Sequence, residues 1–128
     1  PFLIERSFEQ IKLDFCYQEK GGNLISVGSA FDYSGLGVSH YCYNDIALIK
    51  SLPRTQIIYP AMPNEFKILF NQTYANEYLT YFRLPAHKHG FEIPNEKIKI
   101  SRWGVYFTTN IIVVELVSNN MLRDTIKS

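Results

Sequence analysis

His40 and Arg83 are the two residues whose chemistry and setting point most directly to function. His40 follows a loop rich in glycine and small residues, beside Ser39 and Tyr41, downstream of the apolar run Leu24-Ile25-Ser26-Val27-Gly28. In open α/β sheets ligands sit beyond the carboxyl ends of strands, where this loop emerges if the run is a strand. A neutral imidazole there can hydrogen-bond a sugar hydroxyl or move a proton near neutral pH. The plain alternative is a loop histidine bonded to backbone or water. Arg83 ends the segment Tyr81-Phe82-Arg83-Leu84-Pro85. A guanidinium so placed can hold a phosphate or carboxylate by two parallel hydrogen bonds, and a surface ion pair explains a single arginine equally well.

Other chemistry is weaker. His87 and His89 are spaced to point both rings one way from a strand, but no cysteine or carboxylate spacing completes a metal-ligand set. Glycines 28, 35 and 37 do not form a Gly-x-Gly-x-x-Gly run opening a helix. Asn71-Gln72-Thr73 spells a glycosylation sequon, but inside an expected helix. No Ser-His-Asp or Cys-His arrangement is legible.

The elements that must carry these residues follow from periodicity. Apolar positions Phe2, Leu3, Phe8, Ile11, Phe15 and Cys16 recur at helical spacing, predicting a helix to about Gln18. Lys20-Gly21-Gly22-Asn23 ends it, with glycine available for a left-handed cap. Residues 24–28 read as a buried strand and 29–40 as a loop. Asn44-Asp45 caps a helix carrying Ile46, Ala47, Ile49 and Leu52, which stops before Pro53. Residues 55–59 form a second strand, a third helix runs from Asn64-Glu65 to Thr73, and 78–84, rich in aromatic and β-branched residues, form a third strand. Strands alternating with helices predict an α/β fold, with a mostly parallel sheet and helices on both faces.

Beyond Pro85 the character changes. Residues 86–94 hold two of the three histidines and read as an irregular connector. Ile98, Ile100, Val105 and Phe107 flank Arg102-Trp103-Gly104 as a short hairpin, 111–117 read as a strand, and Met121, Leu122 and Ile126 begin a helix. The expected organisation is a domain over 1–85, a linker over 86–110 and a second α/β unit begun in 111–128, so the fold is incomplete.

Composition excludes several classes. The 128 residues carry 13 Lys plus Arg against 12 Asp plus Glu, giving a net charge of +1 and no electrostatic reason to expect nucleic acid or an anionic membrane. The longest apolar run, 111–117, is interrupted by Glu115 and falls far short of the roughly 20 residues that span a bilayer. The two cysteines, Cys16 and Cys42, make no disulfide framework, and no signal peptide is legible. The expected location is cytoplasmic. With no initiator Met, the chain is read as a piece of something longer.

Several segments in order carry a family resemblance. Arg6-Ser7-Phe8-Glu9-Gln10-Ile11 is similar to an Arg-x-aromatic-acidic-Gln-Ile helix, and Gly35-Leu36-Gly37-Val38-Ser39-His40 to a Gly-x-(Thr/Ser)-His loop. Asn44-Asp45-Ile46-Ala47-Leu48-Ile49-Lys50-Ser51-Leu52-Pro53 resembles Glu-Asp-Ile-Ala-x-x-Arg-x-x-Pro. Tyr59-Pro60-Ala61-Met62-Pro63-Asn64-Glu65 resembles a Pro-x-Asp-x-x-Glu turn, and Tyr81-Phe82-Arg83 a strand ending in arginine. Over residues 2–85 the set resembles the pyrimidine-binding domain of the transketolase family, thiamine-diphosphate enzymes that include 1-deoxyxylulose-5-phosphate synthase. Residues 111–122 resemble the start of that family's carboxy-terminal domain.

The resemblance implies a thiamine-diphosphate-binding fold in which the cofactor lies between this domain and the diphosphate domain of another subunit. It implies that His40 contacts the sugar substrate, that Arg83 holds its phosphate, and that Arg6 lies near the pyrimidine ring; the position that stacks on the ring falls on Leu3, with the aromatic Phe2 one residue off. Leu36 and Tyr41 depart from the family pattern, which usually has Asp and a second His or Gln there. The activating glutamate is expected upstream of residue 1, and the divalent metal on another domain or subunit. The leading expectation is therefore the pyrimidine-side half of the cofactor cleft in a ketol transferase or synthase acting on sugar phosphates. A homodimer or an amino-terminal diphosphate-binding subunit would complete it, and the chain alone would be inactive. The alternative is a non-catalytic interaction module that kept the fold and lost the chemistry. A nucleotide-binding domain is disfavoured by the missing phosphate loop.

Overall fold

A computed structural model of the protein describes residues 2–87, 94–95, 98 and 105–107. The amino-terminal helix comes in three pieces: π-wound Phe2–Arg6, a short α-helical α1 (Phe8–Gln10) and π-wound Ile11–Tyr17. The Ser7 hydroxyl donates back to the Leu3 carbonyl where the first winding ends, a local bond that competes with regular helix. Its buried stripe is Ile4, Ile11 and Cys16. The last two are five apart, roughly 140° around a regular α-helix, and the wide turn i→i+5 brings them onto one face. The expected glycine cap is not used. The left-handed residue is Glu19, at φ 54, and its carboxylate lies 3.6 Å from Arg54. Gly22 serves packing instead, because a Cβ there would stand 2.5 Å from the Phe15 ring.

The sheet consists of β1 (Gly22–Val27), β2 (Thr55–Tyr59), β3 (Leu79–Leu84) and β4 (Val105–Phe107) in the order β1-β3-β2-β4, all parallel. Helix α2 (Asp45–Lys50) lies between β1 and β2 in the chain, and α3 (Pro63–Thr73) between β2 and β3. Alternation sends successive side chains of each strand to opposite faces. One face packs Leu79, Tyr81, Ile57 and Leu24 against Ile4 and Ile11 of the amino-terminal helix and Ile49 of α2. The other packs Phe82 and Ile58 against Leu69 and Phe66 of α3, with Ile98. Each fully buried aliphatic among them contributes about 1.5–3 kcal/mol relative to exposure. Leu79 through Arg83 are all buried, as expected for a strand covered on both sides. The α/β architecture with helices on both faces is thus as the alternation predicts.

Val105–Phe107 enters the sheet as a parallel neighbour of β2, with Ile57 opposite Val105 and Tyr59 opposite Phe107. Most of the expected hairpin, the connector from residue 88 to 93, the strand at 111–117 and the closing helix lie outside the described residues.

Candidate functional site

The carboxyl ends of β1 and β3 are neighbours, with Ser26 opposite Arg83 and Val27 opposite Leu84. From there the chain leaves β1 through Gly28, at φ +90, where a Cβ would stand 2.2 Å from the Tyr33 ring. Short 3-10 turns follow at Ser34–Leu36 and Val38–His40, joined by Gly37 at φ +87. The loop closes on itself where Ala30 and Cys42 exchange backbone hydrogen bonds of 3.0 and 2.8 Å. His40 therefore stands near the end of a folded loop beyond the carboxyl edge of the sheet.

Three of the four expected site residues meet there. The His40 ring packs edge-on against Phe2, centroids 5.5 Å apart. The Arg6 guanidinium lies 4.6 Å over the Phe2 ring, a cation–π contact. Phe2 is 46% exposed, which leaves ring surface for a planar partner. His40 is half-buried, and its Nδ1 is 3.0 Å from Ser39 Oγ.

Arg83 takes a different setting. It is buried, and its Nε donates to Asp45 Oδ2 at 2.7 Å while Nη2 donates to the Cys42 carbonyl at 2.7 Å. Its guanidinium also lies 5.0 Å from the Tyr59 ring centroid. Tyr81 donates its hydroxyl to the same Asp45 oxygen at 2.8 Å and pairs with Ser26 Oγ at 2.8 Å. Burial, reinforced by the Asp45 charge, keeps Tyr81 a neutral phenol far above its ordinary range. Burial works against the Arg83 charge, but hydrogen bonding to Asp45 and its negative charge outweigh that and raise the guanidinium's pKa. Burial and the Asp45 charge likewise push the Cys42 thiol up.

A second clamp joins the loop to the exit of β3. Asp32 Oδ2 accepts from Ser29 N at 2.9 Å, Ser29 Oγ at 3.0 Å and Ala86 N at 2.9 Å. Burial raises the Asp32 carboxyl, but these hydrogen bonds and the His87 charge outweigh it, so its pKa lies below the ordinary carboxylate value. Ser29 Oγ also lies 2.6 Å from Tyr59 Oη. His87 is exposed, and its expected companion His89 lies outside the described residues. Among the described residues no group of three His, Cys, Asp or Glu is placed to hold a metal ion, and no helix is long and apolar enough to cross a membrane.

Sequence reasoning misses Asp45, Tyr81 and Asp32. The pattern reads Asp45 as part of a helix cap, yet Asn44 makes no side-chain cap bond and Asp45 is fully buried under the sheet. A legible signal exists in Tyr81 and Arg83, two apart on one strand, which face the same way.

No protein-family model matches the chain, and no solved structure matches it. A Rhodococcoides fascians protein named "Uncharacterized 33.6 kDa protein in fasciation locus" is 37% identical over 85 residues, covering 66% of this chain and 27% of that protein. An Actinobacillus succinogenes protein, named as a subunit of apulose-4-phosphate transketolase, is 31% identical over 112 residues, 81% of this chain and 35% of the relative. Its namesake in Phocaeicola vulgatus is 32% identical over 59 residues, 46% of this chain and 19% of the relative. The chain spans about a third or less of the length of the curated relatives it matches. Over most of its own length, then, this chain is similar to a protein named as one subunit of a transketolase.

Proposed function

We propose that this chain contributes the pyrimidine-side wall of a thiamine-diphosphate cleft in a cytoplasmic transketolase-type enzyme acting on sugar phosphates. A second copy, or an amino-terminal diphosphate-binding subunit, completes the cleft. The observation that carries the reading is the meeting of Phe2, Arg6 and His40 beyond the carboxyl edge of a parallel sheet. The names of the relatives support it, since two are called transketolase subunits.

Thiamine diphosphate, when bound, supplies the carbanion chemistry, and the protein supplies orientation and electrostatics. The exposed Phe2 ring suits stacking on a planar heteroaromatic group, with Arg6 beside it. His40 hydrogen-bonds a sugar hydroxyl or moves a proton at its imidazole. Arg83 is the cation assigned to the substrate phosphate. A phosphate reaching it meets the Nη1 edge of the guanidinium, because Nε and Nη2 already donate to Asp45 and the Cys42 carbonyl. The diphosphate and its divalent metal are assigned to the partner. The rival reading, a non-catalytic interaction module, draws support from that same burial of Arg83.

The test is ketol transfer between sugar phosphates by the native assembly that contains this chain, with magnesium and thiamine diphosphate. Activity that falls about 10- to 100-fold in His40→Ala, a size typical of losing a positioned acid–base group, with little change in melting temperature, supports the proposal. An assembly that binds the cofactor yet turns over equally well with His40→Ala removes His40 from the site. An assembly that neither binds nor turns over favours the interaction module.

A further inference from the structure

We infer that Asp45 is a positioning residue for His40, acting through Arg83 and the Cys42 carbonyl; the inference rests on the reading of His40 as a substrate contact. The geometry of the ion pair carries the argument. An arginine and a carboxylate commonly pair through two parallel N–H···O bonds. Here Arg83 gives Asp45 only Nε and turns Nη2 to the Cys42 carbonyl, each at 2.7 Å. Asp45 Oδ1 receives no N–H or O–H bond among the described residues, although the side chain is fully buried and only the Cys42 thiol, a weak donor, stands beside the carboxylate. A buried acceptor without a strong donor is unfavourable, so this arrangement is less stabilising than a two-bond pair would be. What it achieves is a link from the sheet to the base of the loop.

Cys42 is the closing residue of that loop. Its carbonyl accepts from Ala30 N as well as from Arg83, and its N–H donates to the Ala30 carbonyl. His40 lies two residues earlier, in the turn Val38–His40, whose following residue Tyr41 bonds back to Val38 at 3.2 Å. A shift of the Cys42 carbonyl therefore moves the turn that aims the imidazole. Tyr81 shares Asp45 Oδ2 with Arg83 and is itself paired to Ser26 on β1, which fixes the carboxylate against two strands. Asp45 holds Arg83, Arg83 holds Cys42, and the loop carrying His40 is thereby held to the sheet. A misplacement of about 1 Å in a positioned group can cost on the order of 100-fold in rate, so such an indirect hold has a kinetic consequence.

Two variants of the native assembly test this. Asp45→Asn keeps an acceptor for Tyr81 but removes the charge that anchors Arg83. Arg83→Lys keeps a charge near Asp45, but an ammonium is a point charge and lacks the planar fork that reaches two acceptors. Amide hydrogen exchange at Ala30 and Cys42 should rise in both variants, by about tenfold or more beyond whatever rise the loss of global stability brings to Phe82 in the core. Turnover in Asp45→Asn should fall about tenfold in the wild-type background and less than about twofold in a His40→Ala background, the non-additivity of residues acting through one another. An equal loss in both backgrounds, or loop exchange unchanged in both variants, overturns the inference. Should Asp45→Asn not fold, Arg83→Lys gives the exchange result by itself. Should the wild-type assembly show no ketol transfer, the proposed function falls, while loop exchange still decides whether Asp45 and Arg83 hold the loop.

Discussion

Arg83 Nε sits 2.7 Å from Asp45 Oδ2, and both side chains are closed off from water, joining the carboxyl end of β3 to the first turn of α2. Removing one partner of such a pair strands a charge in the interior, whereas removing both can be nearly neutral. Asp45→Ala should therefore lose about 3–5 kcal/mol of unfolding free energy. The double variant Asp45→Ala with Arg83→Met should lose clearly less. Denaturant titration of the single and double variants checks this, and additive losses would contradict it.

Asp32 makes the protein acid-sensitive in a defined direction. Its pKa is lowered in the folded chain despite partial burial, because Ser29 and Ala86 hydrogen bonds and the His87 charge favour the carboxylate. A depressed native value means that its contribution to stability is fully present above the ordinary carboxylate value, about 3.9. It is lost as pH falls below that value and through the native one. Asp32→Asn should flatten the fall in stability below about pH 4, in the range set by that reference value, and leave the neutral-pH slope unchanged. Urea titrations between those conditions measure it, and an unaltered acid limb would count against the clamp.

Gly28 is required by both conformation and space. It holds φ +90, and a Cβ would stand 2.2 Å from the Tyr33 ring. Gly28→Ala should destabilise by about 1–3 kcal/mol, the range for a non-glycine residue held in a sparsely populated conformation. Tyr33 must also swing away, which should raise its fluorescence exposure. A variant with unchanged denaturation midpoint would show that the exit from β1 is not constrained in this way.

The order of strands and helices was legible because β2 and β3 are short apolar runs bounded by Pro60 and Pro85, and because α3 keeps helical spacing through Phe66, Leu69 and Thr73. The strand order was not, since β1-β3-β2-β4 depends on which way each connection crosses the sheet, and nothing local encodes that. The π windings were equally hidden: Ile11 and Cys16 look like an irregular helical stripe until the wide turn aligns them. Phe2 and Arg6, four apart on one helix, share a face by spacing, but the placing of His40 beside them came from the resemblance, because a residue so distant in the chain carries no spacing signal. Asp45 escapes notice since a carboxylate at a helix start ordinarily faces water and the helix dipole. Its burial becomes visible only when Tyr81 and Arg83 are seen on the strand face above it.

The most direct test of a shared cofactor cleft is amide hydrogen exchange of the native assembly with and without thiamine diphosphate and magnesium. The account predicts that Phe2–Arg6 and residues 37–42 gain protection on cofactor addition, while the Glu19 to Arg54 end of the sheet does not change. Cofactor bound to the assembly with no added protection at Phe2–Arg6 or around His40 would contradict it.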